Sequence, residues 1–234
     1  MNAETIDSII RLNNNFYKRV AQSFSNTRQH PWDGWKRVLT YIEENHVQTI
    51  LDFACGNGRF LDYLISQNIE PKYTGVDSNE DLLGIAEKHH QRHRFFNRDL
   101  LYEELPGREK YDMIVSFGFM HHIPTEEMRE QVIAKLFGLL NEKGILILTF
   151  WSNPNRRGII PLDKLSGEAL RLNSEMGEND FFFGWDNLEG AVRYCHLFNQ
   201  DEVVSLLNKY RNFELFNADG KTGQDNIYAV IKNI

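Results

Sequence analysis

The chain has little cysteine, a deficit of cations and no long apolar run, and each shortage excludes a class of protein. Cys55 and Cys195 stand far apart, and two cysteines build neither a disulfide framework nor a four-cysteine zinc site. With 26 Lys+Arg against 33 Asp+Glu the net charge is −7 and the pI near 5.6. That balance argues against a whole surface built for nucleic acid, while leaving room for a local basic patch. No apolar stretch approaches the ~18 residues of a membrane span; the longest candidates are residues 113–120 and 145–151. The opening Met-Asn-Ala-Glu lacks the basic-then-apolar pattern of a secretory signal. The expectation is a cytoplasmic protein with reduced thiols, no membrane contact and no metal site.

What is present describes a foldable domain. The chain has 234 residues, 41% hydrophobic and 12% aromatic, and a chain of this size buries roughly 70% of its unfolded surface without staples. Residues 5–24 carry Ile6, Ile9, Phe16, Val20 and Phe24 at helical spacing. After a break at 25–31 the period resumes with Trp32, Trp35, Val38 and Ile42, with Pro31 in the expected first turn. From Thr49 short β-rich runs alternate with helical ones. Strands are expected at 49–53, 72–77, 95–97, 111–117 and 145–150, with Ser78 and Thr125 as helix caps. This alternation predicts a parallel sheet with helices on both faces. It stops after Trp151. Residues 152–192 are too long for an ordinary connection and read as a lid or insertion; a helix near 200–209 and strands at 213–217 and 226–232 close the chain. The whole reads as one domain, with a helical cover (1–46), a core (47–151), the lid and a C-terminal part (193–234).

The strongest constellation is Leu51-Asp52-Phe53-Ala54-Cys55-Gly56-Asn57-Gly58, followed by Val76-Asp77-Ser78 at the end of the next strand. Glycines at a strand–helix turn let the backbone approach a ligand, and an acid about 20 residues later suits a ribose diol. A dinucleotide fingerprint would need a third glycine, but Gly58 runs into Arg59-Phe60-Leu61. Asp52 would also repel a pyrophosphate, whereas it suits a ligand with an ammonium end. S-adenosylmethionine has that group.

Across residues 47–151 and the last two strands the sequence resembles the class I S-adenosylmethionine-dependent methyltransferases. The resemblance implies a Rossmann-like α/β fold, a seven-stranded, mostly parallel sheet whose last strand inserts antiparallel. It implies that Asp52, Ala54, Gly56, Asn57 and Gly58 form the methionine loop and that Asp77, with Ser78, holds the ribose. By the same likeness Asp99 and Leu100 flank the adenine, and Phe117 the cofactor after the fourth strand.

Three further segments are less generic: residues 24–32, residues 119–125 around His121-His122, and residues 180–185 followed by Arg193-Tyr194-Cys195-His196. In this order they resemble the tRNA wobble-uridine carboxymethyl methyltransferases, which esterify 5-carboxymethyluridine. The likeness implies tRNA as substrate and a small activator subunit as partner. That family's long basic insertion is absent here. A carboxylate acceptor is already ionised at neutral pH and needs a positioned cation, not a base, whereas a hydroxyl or amine needs a base near pKa 7. Arg28, Arg193, His121, His122 and His196 are the candidate acceptor-site residues, Arg28 alternatively serving the cofactor's carboxylate. Residues 88–98 hold four cations and three histidines without an acid, a stripe suited to phosphates. A small-molecule methyltransferase and a noncatalytic Rossmann-type partner subunit are the alternative readings.

Overall fold

In chain order, helices α1 (Ala3–Thr27) and α2 (Trp35–Glu44) precede an alternation of β1 (Thr49–Phe53), α3 (Arg59–Ser66), β2 (Lys72–Asp77), α4 (Glu80–His89), β3 (Arg94–Asn97), β4 (Tyr111–Ser116), α5 (Glu126–Phe137) and β5 (Leu140–Trp151). Then come α6 (Gly167–Asn173), the strands β6 (Asp180–Phe183) and β7 (Arg193–His196), α7 (Gln200–Leu207), β8 (Phe213–Ala218) and β9 (Asn226–Lys232). This is a computed structural model, and it describes residues 1–27, 30–105, 109–152, 158–185 and 188–234.

Seven strands form one sheet in the order β3-β2-β1-β4-β5-β9-β8. The first five are parallel, and β9 inserts antiparallel between β5 and β8. Successive side chains of a strand point to opposite faces, and here both faces are covered. Leu51, Ile114 and Leu146 pack with Val132, Ile133 and Leu136 of α5 and with Leu206 of α7. Their neighbours Ile50, Met113 and Ile145 pack with Val38 and Ile42 of α2 and Leu61 and Leu64 of α3. Burial on both sides is why these strands read as nearly unbroken apolar runs. The Rossmann-like α/β architecture is the expected one.

Local departures have local causes. Pro31 lies ahead of α2, not in its first turn: residues 31–34 form a turn and the helix begins at Trp35. The cap of α4 is Asn79, whose side chain accepts from Leu82 N at 2.9 Å, one residue past the expected Ser78. Thr125 caps α5 as expected, accepting from Met128 N. Strand β5 starts at Leu140 because the register with β4 shifts between Tyr111 and Met113, absorbing the turn expected at Lys143-Gly144. Lys143 takes a positive φ of 63° there.

The described part of the segment after β5 carries regular structure. Strand β6 pairs antiparallel with β7 to make a separate two-stranded sheet. Phe182 and Tyr194 of this hairpin pack with Ile9 of α1 and with Leu172 of α6. Phe182 is thereby a core residue, and Phe183 is buried with Cys195 and Leu197.

Candidate active site

A cavity of about 840 Å³ opens at the carboxyl ends of β1, β2 and β4, the place where open α/β sheets bind ligands. At one end the glycine-rich turn leaves β1. Ala54 N and Cys55 N both donate to Val76 O (2.8 and 3.1 Å), tying the turn to β2. This holds Ala54 at a φ of +69°, a left-handed conformation that L-residues avoid and that marks functional turns. Gly58, at +79°, caps α3; a Cβ there would sit 3.2 Å from both Ala86 and His90, so the turn packs against α4 only because the position is glycine. Asp77 accepts from Gly56 N (2.8 Å) and Asn79 N (2.9 Å), bracing the turn from the end of β2.

Two acids are therefore buried side by side at this end. Burial, aided by the charge of Asp77, pushes Asp52 up to about 7, although Tyr73 donates a short hydrogen bond to it and Arg59 lies near enough to oppose the rise. Burial also raises Asp77, against the three backbone N–H groups that favour its ionised form. A carboxyl group held near neutrality at a cavity wall gains its charge when a cation binds beside it. The ammonium of an amino-acid ligand fits that requirement, and the Asp77 carboxylate at the cavity wall fits a diol.

The other end of the cavity is built around Arg193 on β7. Its side chain is nine-tenths buried, and no ion pair with an acid is found for it among the described residues. The guanidinium instead lies over Phe16 (5.0 Å), Trp151 and Trp185 (both 5.9 Å), and donates to Tyr17 Oη at 3.1 Å. Tyr17 Oη contacts His122 Nε2 at 2.8 Å, while His122 Nδ1 is 3.1 Å from Tyr194 O. A carbonyl only accepts, so Nδ1 carries the proton and Nε2 accepts from tyrosine. Burial, reinforced by Arg193, lowers His122 to about 3. The same burial, with His122 and Arg193, drives His121 well below the ordinary imidazole value. His121 Nδ1 is buried without a partner among the described residues. His121, His122 and Cys195 bring ligand atoms within 4.8 Å of one another, but the fixed charge of Arg193, hydrogen-bonded to Cys195, repels a metal cation there.

Residues 51–146 match the family model described as a methyltransferase domain. The chain carries a class I, S-adenosylmethionine-dependent methyltransferase domain. It is 25% identical over 220 residues to a protein of Encephalitozoon cuniculi assigned to the methyltransferases, covering 93% of each chain. It is 29% identical over 138 residues to the tRNA (carboxymethyluridine(34)-5-O)-methyltransferase of Arabidopsis thaliana, covering 58% of this chain and 31% of that protein. The corresponding Saccharomyces cerevisiae enzyme is 28% identical over 171 residues, 72% of this chain and 54% of that one. The chain thus spans about half or less of the length of those two tRNA enzymes. Among solved structures, the fold is similar to an amino pentose methyltransferase from Micromonospora echinaspora with S-adenosylmethionine bound (TM-score 0.62, 15% identity, 92% of this chain and 97% of that one). It is also similar to magnesium protoporphyrin IX methyltransferase from Synechocystis (TM-score 0.60, 14% identity, all of both chains).

Of the methyltransferase's expected cofactor residues, Asp52, Ala54, Gly56, Asn57, Asp77, Ser78, Leu100 and Phe117 line the cavity. Gly58 lies behind it, under α4. Asp99 is not in the wall: its carboxylate accepts from Leu101 N and Tyr102 N and closes the turn after β3. Of the expected acceptor-site residues, His121, His122 and Arg193 are brought together in the wall. His196 is not. It is three residues past Arg193, an odd number of steps along β7 that turns it to the opposite face, and it lies outside the cavity between Asp180 and Glu202, 2.7 Å from each. Arg28 lies outside the described residues. None of the described residues 158–185 and 188–192, expected as the lid, lines the cavity; α1 walls it instead, through Asn13, Tyr17, Lys18 and Phe24. Sequence reasoning missed Asn13 and Tyr17. Their signal was a polar pair at i, i+4 inside the apolar stripe of α1.

Proposed function

We propose that the protein methyl-esterifies a carboxylate, the carboxymethyl group of a wobble uridine in tRNA. The observation that carries this reading is Arg193: a buried guanidinium in the cavity wall, ringed by aromatics, with no acidic partner among the described residues. A buried charge without a partner is costly, and a forked guanidinium meets a carboxylate in two contacts. The imidazoles beside it are poor bases, which suits an acceptor that has no proton to give up. S-adenosylmethionine supplies the electrophilic methyl group. Arg193 orients the acceptor's carboxylate, Tyr17 and His122 fix the arginine, and the surrounding rings exclude water.

The choice of tRNA draws support from the likeness to the carboxymethyluridine enzymes. The basic stripe adds a surface for phosphates: Lys88 and Arg92 are exposed, and Arg94 is paired with Glu109. The net charge of −7 favours the second reading, a small carboxylic acid as acceptor. Mass spectrometry of tRNA nucleosides from cells lacking the gene separates the two. We expect accumulated carboxymethyluridine, cleared by purified protein with S-adenosylmethionine, alone or with a small activator subunit. Arg193→Gln should lower kcat/KM on that tRNA at least ~100-fold, the scale of a lost buried charge pair, while binding S-adenosylmethionine as wild type does. An unchanged nucleoside profile would overturn the tRNA reading.

A further inference from the structure

The cavity wall is rich in acids at its cofactor end and poor in cations. Asp52, Asp77, Glu80, Asp81, Asp219 and Asp225 all line it, whereas its only Lys or Arg residues among those described are Lys18, Arg59 and Arg193. Arg193 belongs to the acceptor end and Lys18 to α1. Arg59 is the first residue of α3, directly after the turn that carries Gly56 and Gly58. Its guanidinium lies over Trp35 (5.1 Å) and Trp32 (5.4 Å), and Nη1 donates to His30 O at 3.2 Å, so its place is fixed by packing before any ligand arrives. It is also close enough to Asp52 to act on its ionisation.

S-adenosylmethionine is a zwitterion at its amino-acid end, and an acidic wall alone would accept the ammonium while repelling the carboxylate. We propose that Arg59 is the anchor for the carboxylate of the cofactor's methionine moiety, forming with Asp52 a clamp of opposite charges. The planar side chain lies over two indoles, so it gives up little rotamer freedom on engagement. The clamp gives the stacked pair Trp32 and Trp35, at the start of α2, a role: it orients the arginine. It concerns the cofactor alone and does not depend on which acceptor is methylated.

Calorimetry with four ligands tests it. Wild type should bind S-adenosylmethionine and its demethylated product about 10- to 100-fold more tightly than decarboxylated S-adenosylmethionine, the range of one charge-assisted pair. Arg59→Gln should bind the two full ligands at the weaker level and no longer discriminate them from the decarboxylated one. Its affinity for methylthioadenosine, which lacks the amino-acid end, should match wild type; this shows that the pocket is still folded. Retained discrimination in Arg59→Gln would overturn the proposal, and so would an equal loss for methylthioadenosine, which would make Arg59 a packing residue only. Arg59→Lys, keeping the charge without the fork, should fall between.

Discussion

Asp52 illustrates how a single buried side chain couples binding to pH. It is a β1 residue with 2% exposure, yet it faces a polar cavity. Burial and the neighbouring Asp77, opposed by Arg59 and the hydrogen bond from Tyr73, hold its carboxyl at about 7, so at neutral pH it is half protonated. Binding an ammonium requires the charged form, which lowers the pKa in the complex. The sign follows: affinity is fully present above about pH 7 and falls as pH drops through it, by up to ~10-fold per unit. Calorimetry of S-adenosylmethionine binding at pH 7 in buffers of different ionisation enthalpy should show release of a fraction of a proton. Asp52→Asn should bind more weakly and lose this pH dependence. A flat affinity from pH 6 to 8 in wild type would contradict the assignment. The sequence made Asp52 legible through its place before the glycines, but its protonation depends on Tyr73 and Asp77, which only the fold brings close.

At the scale of elements, the β6–β7 hairpin carries Arg193 to the cavity, and what holds the hairpin is His196. Burial alone would lower this imidazole, but hydrogen bonds to Asp180 and Glu202 outweigh burial and raise it. Tyr194 Oη also donates to Asp180 Oδ1 at 2.6 Å, and Glu202 of α7 meets the buried Arg129 of α5 at 3.3 Å. The imidazole thus joins the hairpin to α7, most strongly when it is protonated. A raised histidine contributes stability that is fully present below its unfolded value near 6.5 and is lost as pH rises through the folded value. His196→Gln should therefore cost about 1–3 kcal/mol at pH 6, and the difference in Tm from wild type should shrink toward pH 9. A gap independent of pH would mean that His196 acts only by packing. The sequence offered His196 as an acceptor-site residue because it lies near Arg193. Strand alternation explains the error only partly, since the pairing with β6 and the reach of Glu202 decide where the ring ends up. The core strands were legible for the opposite reason: their apolar runs are local, and their boundaries follow from Gly, Asn and Thr at the turns. The two-stranded hairpin was hidden because its partner strand lies in a segment without alternation.

For the whole molecule, the net charge and the charge map point in different directions. An overall −7 repels a polyanion, while residues 88–98 concentrate cations along α4 and the edge strand β3. Because the cavity opens at the carboxyl end of the sheet, only Arg98 of this stripe stands at the cavity's level. Lys88, Arg92 and Arg94 sit toward the other end of the edge, α4 being ten residues or about 15 Å long. A metabolite in the pocket would never touch them, but a folded RNA that places one nucleotide in the cavity extends far enough to reach them. The stripe therefore separates the two acceptor readings by size. Lys88→Glu with Arg92→Glu should leave calorimetric binding of S-adenosylmethionine unchanged and weaken binding of tRNA. The slope of log affinity against log salt should become shallower by about 2, roughly one per phosphate contact removed. If the doubly substituted protein binds and methylates tRNA with the wild-type salt dependence, the edge does not meet RNA. The tRNA reading would then have to rest on a different surface, with Lys18 on α1 at the cavity wall as the next cation to test.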